Sequence, residues 1–346
     1  MYQPILKGKQ AEYVAWENAS AHVKANAVPL FEVVPKDGVD VDLAKALEDI
    51  ARCAAPNNVI AVDCGFLDQT ATVSGTSLRT VSWLGNQLSS RGVRVRPVIR
   101  LDDPAAVVRD AVAVSASSSE AITMRVGGPD ADPSPSMNDT SLSDFCAKAQ
   151  IAPSDVHLLI DLGSSFGKKP SAEALVAELY VRWAVANGPW RTVTLASGAF
   201  PSSITDYPTS ADNRLERADA LIWNQVNSLQ VVPNLVYGDY AINHPDLPAG
   251  RGGRPYPGLR YASGSEWIIW REKFASDGTH VTFYDLCAGI CALPDFSGTA
   301  YSWGDRCIEE KSRKVTGPGT GTQWRSYGTS HHIAHVVDRL TNLGVA

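Results

Sequence analysis

The sequence has no excess of basic residues: its 31 lysines and arginines are outnumbered by 37 aspartates and glutamates, which gives a net charge of −6. A general nucleic-acid coat or a protein that lies on a membrane surface would carry a basic surplus. No segment approaches the roughly 18 apolar residues that a membrane-spanning helix needs. The first residues show no basic stretch followed by an apolar one, so we expect no secretion signal and a cytoplasmic location.

The six cysteines show no Cys-x-x-Cys pair and no spacing typical of a zinc site. Cys287 and Cys291 lie four residues apart, the spacing of neighbouring turns on one helix face, but no partner ligands accompany them. We therefore expect reduced, buried thiols rather than disulfides. The residues do not identify a cofactor, and a divalent metal is one alternative for the charged site described below.

Short β-branched segments, typical of buried strands, alternate with apolar patterns of period 3.6, typical of amphipathic helices. The predicted strands lie at residues 28–34, 59–63, 93–99, 121–126, 156–161, 192–196 and 235–239. An eighth strand has two candidates, 259–262 and 266–271, with a predicted hairpin turn at Ser263-Gly264-Ser265 between them. Among the predicted helices, the first spans residues 11–24 and the last two span 302–314 and 330–343.

Eight strands that alternate with helices predict parallel βαβ units. No glycine-rich dinucleotide-binding turn follows the first predicted strand, so the pattern favours an α/β fold of the (β/α)8 TIM-barrel type over an open doubly wound sheet. We expect one barrel domain over residues 1–346. Within it, residues 296–346 are expected to form an irregular extension of helices with a flexible Gly-rich loop at 316–322.

In such a barrel the carboxyl ends of the strands form one mouth, where the site lies. The predicted strands end in polar residues, and the acidic ones are the candidate catalytic carboxylates Glu32, Asp63, Asp161 and Asp239. With neighbouring arginines they could hold a divalent metal against a phosphate, or two of them could act as acid and base on a sugar-like substrate. A structural salt-bridge network is the alternative, since buried charges must be paired.

The basic residues near these strand ends favour an anionic ligand. The candidate ligand-binding residues are Lys7, Lys9, Arg100, Arg125, Arg260 and, as a neighbouring polar group, Tyr240. A strand-end arginine in a wet cavity serves a ligand more than the core, so we expect Arg125→Ala to leave folding intact and to weaken ligand binding.

Two further motifs lie near the end of the chain. If Ser330 caps the last helix, His331 and His332 lie in its first turn, where neutral imidazoles beside a phosphate could act as acid, base or metal ligand, and both join the candidate catalytic set. Trp324, followed by Arg325, resembles a stacking and charge pair for a base or sugar and is a candidate ligand-binding residue. The alternatives are that the histidines cap or pack the helix and that Trp324 packs on its own domain.

Several short motifs, taken in order, resemble the beta protein family of phages and bacteria. They are Tyr2-Gln3-Pro4-Ile5-Leu6-Lys7-Gly8-Lys9 with Glu12, Pro29-Leu30-Phe31-Glu32-Val33, Asp161-Leu162-Gly163, Tyr237-Gly238-Asp239-Tyr240-Ala241 with His244-Pro245, Arg260-Tyr261, Trp267 with Arg271, and Trp324 with His331-His332-Ile333. The resemblance spans nearly the whole chain. It implies a barrel fold and an association with phages and with bacterial mobile or antiviral defence loci. It implies no reaction, so no catalytic role is carried over.

The leading hypothesis is a barrel that binds a phosphorylated small molecule or nucleotide at its carboxyl-end mouth. If the carboxylates perform chemistry, the protein is a phosphoester- or nucleotide-directed hydrolase. The alternative is a non-catalytic sensor or scaffold subunit that docks a protein partner from the same locus. The charge and hydropathy patterns predict neither membrane contact nor general nucleic-acid coating.

Overall fold

A computed structural model describes residues 1–54, 58–128, 139–247 and 256–346. Its elements in chain order are β1 (Tyr2–Leu6), α1 (Gln10–Glu17), α2 (Ala21–Asn26), β2 (Leu30–Glu32), α3 (Val39–Cys53), β3 (Val59–Asp63), α4 (Thr80–Ser90), β4 (Arg94–Ile99), α5 (Ala105–Ser117), β5 (Ile122–Gly127), α6 (Asp139–Ala149), a short 3-10 helix (Pro153–Asp155), β6 (Val156–Ser164), α7 (Pro170–Ala186), β7 (Thr192–Gly198), β8 (Asn213–Glu216), α8 (Ala218–Ser228), β9 (Val236–Asp239), β10 (Gly258–Ser263), β11 (Glu266–Arg271), α9 (Phe283–Ala292), α10 (Trp303–Ser312) and α11 (Gly321–Asn342).

Within the described residues, strands β1 to β7 and β9 close into a barrel in which every neighbouring pair is parallel. Parallel neighbours require long crossover connections, and the helices between the strands supply them. The barrel closes where β9 pairs with β1, with Pro4 opposite Asp239. This topology confirms the predicted (β/α)8 TIM-type barrel.

Two strand assignments made from the sequence are wrong. The first barrel strand is Tyr2–Leu6, which is absent from the predicted strands, so that Leu30–Glu32 is the second. The two candidates for the eighth strand lie outside the barrel: β10 and β11 form an antiparallel hairpin, and β11 also pairs with β8 in a separate three-stranded sheet. The predicted hairpin turn between β10 and β11 is confirmed.

Helix boundaries near the two ends of the chain also differ from the prediction. The first helix is divided into α1 and α2, because Ser20 begins a new helix by accepting a hydrogen bond from the Val23 backbone N–H at 3.2 Å. The last helix begins at Gly321 rather than after Ser330, and it therefore includes part of the predicted Gly-rich loop. All six cysteines are free thiols, three of them buried.

Side chains on the barrel strands alternate between two apolar environments. One cluster fills the inside of the barrel: Ile5, Leu30, Ala61, Val98, Leu159, Ala196 and Tyr240. The intervening strand residues, such as Phe31, Val62 and Ile160, join the helices in the main core outside the barrel wall. Because alternate residues of a strand point to opposite faces, this pattern decides which strand-end polar residues face inward.

The C-terminal helices and the β10–β11 hairpin enclose a second apolar cluster. It contains Leu259, Tyr261, Phe283, Ile308 and Trp324, which come from β10, α9, α10 and α11. The last helix thus packs its apolar side chains partly here and partly in the main core, where Ile333 and Val336 lie. This arrangement joins the extension to the barrel.

Candidate functional site

A layer of inward-facing polar side chains, called here the inner layer, lies at the carboxyl ends of the barrel strands. Its members are Lys7, Glu32, Asp63, Arg100, Arg125, Asp161 and Tyr240. Five of them lie two residues after an apolar residue that faces the inside of the barrel, as Glu32 lies after Leu30. Because residues two apart on a strand point to the same face, these five side chains also face the inside of the barrel. Apart from Arg100, whose side chain is 24% exposed, the layer is buried.

Arg125 lies at the centre of the inner layer. Its Nη1 donates to Glu32 Oε1 at 2.8 Å and to Asp63 Oδ2 at 2.7 Å. Its Nη2 donates to Asp161 Oδ2 at 2.6 Å and to the Tyr240 hydroxyl oxygen at 2.8 Å, and its Nε donates to the same Asp161 oxygen at 3.0 Å. One guanidinium therefore joins three carboxylates that come from β2, β3 and β6.

Two more cations complete the charge balance of the inner layer. Lys7 Nζ lies 2.7 Å from Glu32 Oε2, and Arg100 donates to both oxygens of Asp63 at 3.0 Å. Burial alone would raise the pKa of Asp63, but the charges of Arg100 and Arg125 hold it well below its ordinary value. Three cations thus face three carboxylates, and the layer is neutral as a whole.

Asp161 in the inner layer has few free acceptor positions. Asp161 Oδ1 accepts the Gly163 backbone N–H at 3.0 Å, and its Oδ2 also accepts the Tyr240 hydroxyl at 2.5 Å. The Arg125 guanidinium occupies the space between the carboxylates that a bound cation would need. Among the described residues no group of three or more His, Cys, Asp or Glu side chains could hold a metal ion. The geometry is that of a salt-bridge network, the alternative raised by the sequence.

Asp239 does not join the inner layer. A Cβ on Gly238 would lie 2.7 Å from the Ala196 Cβ inside the barrel, so Gly238 faces inward and Asp239 faces the outer helices. There Asp239 accepts hydrogen bonds from the Tyr2 hydroxyl at 2.5 Å and from the Ala241 backbone N–H at 2.9 Å, and its Oδ2 lies 2.7 Å from His332 Nε2. The structure therefore separates Asp239 from the other three candidate carboxylates.

The surroundings of Asp239 form a buried polar cluster between β9, α8 and α11. Arg217 donates to the Tyr237 hydroxyl at 3.1 Å, and that hydroxyl donates to Asp219. Burial opposes ionisation of Asp239, but the charges of His332 and Arg217 lower its pKa to about 2. Burial lowers the pKa of His332, although Asp239 opposes this effect. The cluster connects the barrel wall to the last helix rather than to the mouth.

His331 lies apart from both the inner layer and the polar cluster around Asp239. Because α11 begins at Gly321, the expected position of His331 and His332 in a first helical turn is wrong, and both lie in the middle of the helix. His331 Nδ1 lies 2.9 Å from Asp305 Oδ2, its Nε2 lies 2.8 Å from the Ala262 carbonyl oxygen, and its ring stacks on Tyr261. Both ring nitrogens are occupied, so His331 joins α10, α11 and the hairpin.

Trp324 is buried rather than presented to a ligand. Its ring stacks on Phe283 with centroids 4.7 Å apart, and its indole N–H donates to the Pro318 carbonyl at 2.9 Å. These contacts place it in the C-terminal apolar cluster. The structure thus favours the alternative raised for this residue, packing on its own domain.

Three other cations form what is called here the cationic rim: Lys9, Arg260 and Arg325. Lys9 follows the carboxyl end of β1, and Arg260 on β10 donates to the Ile242 carbonyl, just after β9, at 2.7 Å. The Arg260 guanidinium also lies 4.6 Å from the Phe200 ring centroid. These contacts bring Arg260 to the mouth, beside the segments that follow β1, β7 and β9.

Charge in the cationic rim is balanced only in part, by Glu12 beside Lys9. Burial lowers the pKa of Lys9, and the charges of Arg325 and Arg260 lower it further, although Glu12 opposes them. Burial and Arg325 likewise lower the pKa of Arg260 to about 9, so its guanidinium remains charged at neutral pH. Among the described residues none of the three rim cations takes part in an ion pair, in contrast to every cation of the inner layer.

Two polar side chains outside the predicted site also meet at the mouth. Ser164 ends β6, and its Oγ lies 3.0 Å from Nε2 of His244, which follows β9. The sequence could have predicted both residues from their positions, since each lies only a few residues beyond a predicted strand-end carboxylate.

The closed parallel barrel with a polar mouth defines a TIM-type barrel protein. More narrowly, the chain belongs to the Beta protein family, whose model matches residues 2–338. Among solved structures it is similar to the tryptophan synthase A-subunit of the hyperthermophile Pyrococcus furiosus, with 11% identity over 70% of this chain and 88% of that chain and a TM-score of 0.40. It is also similar to triosephosphate isomerase from Bartonella henselae, with 12% identity over 69% of this chain and 92% of that chain and a TM-score of 0.36.

No curated protein matches the chain. Within the described residues, no helix combines the length and the apolar character that crossing a membrane requires. The family and the fold are thus established, and neither identifies a ligand.

Proposed function

We propose that the protein binds a phosphorylated or nucleotide-like ligand at the carboxyl-end mouth of the barrel, through the cationic rim of Lys9, Arg260 and Arg325. The observation that carries the proposal is the excess positive charge of this rim, in which no cation has an ion-pair partner among the described residues. Besides burial, Arg325 and Arg260 lower the pKa of Lys9, and Arg325 lowers that of Arg260. Holding like charges together is unfavourable unless an anion neutralises them. A phosphate or polyphosphate supplies that neutralisation.

The chemistry of the rim favours phosphate in particular. A guanidinium presents paired N–H donors whose spacing matches two phosphate oxygens, and charge-assisted bonds of this kind are stronger than neutral ones. Arg260 is held over the Phe200 ring and by its bond to the Ile242 carbonyl, so its orientation is set before a ligand arrives. Lys9 and Arg325 lie beside it as further cations.

In this proposal the inner layer supports the mouth rather than performing chemistry. Glu32, Asp63 and Asp161 are each engaged by Arg125, and a carboxylate in that state is poorly placed to hold a metal or move a proton. This favours a ligand sensor over a hydrolase. In the phage or defence setting that the resemblance implies, such a sensor would pass ligand occupancy to a partner from the same locus.

The test is calorimetric titration of the whole chain with inorganic phosphate, pyrophosphate, AMP and ATP at fixed ionic strength. We expect at least one of them to bind, and Arg260→Gln to weaken that binding by about tenfold or more, because a charge-assisted hydrogen bond is lost. Arg182→Gln is the matched control, since Arg182 on α7 is 57% exposed and paired with Glu178.

Failure of all four compounds to bind the wild-type chain would contradict the proposal, as would an equal loss in the Arg182→Gln control. Recovery of the bound compound intact after long incubation would support the sensor assignment. Release of inorganic phosphate from ATP or pyrophosphate would instead support the hydrolase.

A further inference from the structure

Ser164 and His244 meet at the mouth of the barrel, and neither belongs to the inner layer or to the cationic rim. Ser164 is half-buried at the end of β6, and its Cα pairs in the sheet with Gly198 of β7. A Cβ on Gly198 would lie 2.6 Å from Cγ of Pro245, the residue after His244. Phe200, two residues beyond Gly198, carries the Arg260 guanidinium over its ring. The Ser164–His244 pair therefore lies on the same side of the mouth as the cationic rim.

The backbone fixes the tautomer of His244. The Asp246 backbone N–H lies 3.1 Å from His244 Nδ1, and because a backbone N–H can only donate, Nδ1 accepts this bond. Burial and the charge of Lys7 lower the pKa of His244, although Asp246 opposes them, so the ring is neutral near pH 7. A neutral imidazole carries one proton, which must then be on Nε2.

The order Ser164, His244, Asp246 superficially matches a nucleophile–base–acid set, but the hydrogen bonding differs from it. In such a set His Nδ1 donates to the carboxylate, and Nε2 is free to accept the serine proton. Here the Asp246 carboxylate oxygen is 3.5 Å from Nδ1, and Nδ1 is already occupied as an acceptor. His244 Nε2 therefore donates to Ser164 Oγ at 3.0 Å instead of accepting from it.

The hydroxyl of Ser164 has one proton to donate and two lone pairs to accept with. One lone pair receives the His244 Nε2–H, and the Phe166 backbone N–H approaches the same oxygen at 3.4 Å. Within the described part of the chain, no acceptor lies within hydrogen-bond distance of the hydroxyl proton. Among the described residues this proton therefore has no acceptor, and it is available to a ligand at the mouth.

We propose that Ser164 donates this hydrogen bond to an anionic oxygen of the ligand and that His244 is the positioning residue that turns the hydroxyl toward it. The inference rests on the proposed function and adds to it the class of group that is recognised. That group is an oxygen that only accepts, such as the fully ionised terminal oxygen of a phosphoryl group. A ligand that presents a hydroxyl hydrogen there would meet the serine proton unfavourably.

The test uses inorganic phosphate and ATP as probes in calorimetric titrations of the whole chain. Ser164→Ala should weaken binding about tenfold, because a hydrogen bond to a charged group is lost, and Ser164→Thr should restore it because the hydroxyl is kept. Ser228→Ala is the matched control, since the Ser228 hydroxyl donates within its own helix, to the Gln225 carbonyl.

Wild-type affinity in Ser164→Ala, together with a clear loss in Arg260→Gln, would overturn this inference and leave the proposed function standing. Absence of any binding by the wild-type chain would overturn both.

A second measurement needs no ligand. Long-range 1H–15N NMR correlations of the imidazole, assigned by the spectrum of His244→Gln, should show a protonated Nε2 and an unprotonated Nδ1 at pH 7. The opposite tautomer would overturn the positioning role of His244 even if Ser164→Ala lost affinity, because His244 Nε2 would then accept the serine proton.

Discussion

The inner layer and the cationic rim lie at the same mouth, but their charges are arranged in opposite ways. In the inner layer, Arg125 has a side chain that is 0% exposed and bonds to Glu32, Asp63 and Asp161. In the rim, Arg260 and its neighbours face one another without a carboxylate in an ion pair, among the residues that the structure describes. Arginine is thus paired with carboxylates in one region and, in the described part of the chain, has no ion-pair partner in the other.

The difference separates charges that maintain the fold from charges that are available to a ligand. A buried ion network stabilises little in itself, but removal of one member leaves the others buried and unpaired. An unpaired cation near solvent contributes little to the fold and repels its neighbours. Perturbation of the two regions should therefore give opposite results.

The largest effect is expected for Arg125→Met. This change leaves three buried carboxylates without the guanidinium that joins them, and loss of one partner of a buried ion pair costs about 3–5 kcal/mol of the free energy of unfolding. Urea unfolding monitored by circular dichroism measures it, with Arg182→Met on the surface of α7 as the control. If the free energy of unfolding falls by less than about 1 kcal/mol, the structural role is contradicted and the ligand-binding role that the sequence predicts for Arg125 is favoured.

An intermediate effect is expected on acidification. Burial, followed by the charge of His331, lowers the pKa of His335 to about 2, and burial with Arg96 and Arg191 lowers that of His157 to about 3. In the unfolded chain these histidines take up protons near pH 6.5, so the unfolded state binds more protons below that pH. Stability is therefore full above pH 6.5 and falls as the pH drops toward the folded pKa.

Each of these two histidines should account for about 2 kcal/mol of lost stability between pH 6.5 and pH 5, from about 1.4 kcal/mol per pH unit. His335→Gln keeps a donor for the Gly264 carbonyl but takes up no proton, so its stability should depend less on pH. Urea unfolding at pH 7, 6 and 5 measures the difference, with the exposed His22→Gln as control. An unchanged pH slope in His335→Gln would contradict the assignment.

The smallest effect, and one of opposite sign, is expected for Arg325→Gln. Arg325 is exposed, and its charge lowers the pKa of both Lys9 and Arg260, so its removal relieves repulsion. Without ligand the melting temperature should rise slightly at low salt, which corresponds to less than about 1 kcal/mol, and the gain should vanish at high salt. A fall in the melting temperature would show that Arg325 has a structural partner and would weaken the contrast between rim and inner layer.

Much of the barrel could be predicted because the sequence alternates strand and helix patterns from residue 28 to residue 239. The first strand was not predicted because Tyr2–Leu6 has a proline at its centre. Proline is unusual within a sheet since it lacks a backbone N–H donor. The β10–β11 hairpin has the composition of a buried strand, and composition does not say which sheet a strand joins.

The convergence of Glu32, Asp63, Arg125 and Asp161 could be predicted, because the ends of parallel strands meet at one mouth. The exclusion of Asp239 could not, because both faces of such a strand are buried and its sequence lacks a clear polar–apolar alternation. The pairing of charges could not be predicted either. Whether an arginine faces three carboxylates or none depends on side-chain positions that the order of residues does not show.

The joint between β9 and β1 has a consequence for the growing chain. Tyr2 and Asp239, which are bonded across this joint, are 237 residues apart in the sequence. A ribosome that adds roughly 5–20 residues per second makes the second partner on the order of ten seconds or more after the first. During that interval β1 has only β2 as a neighbour in the sheet, and its other edge is open to any strand nearby. Until β9 has been synthesised, pairing of this open β1 edge with a strand of another chain therefore competes with closure of the barrel.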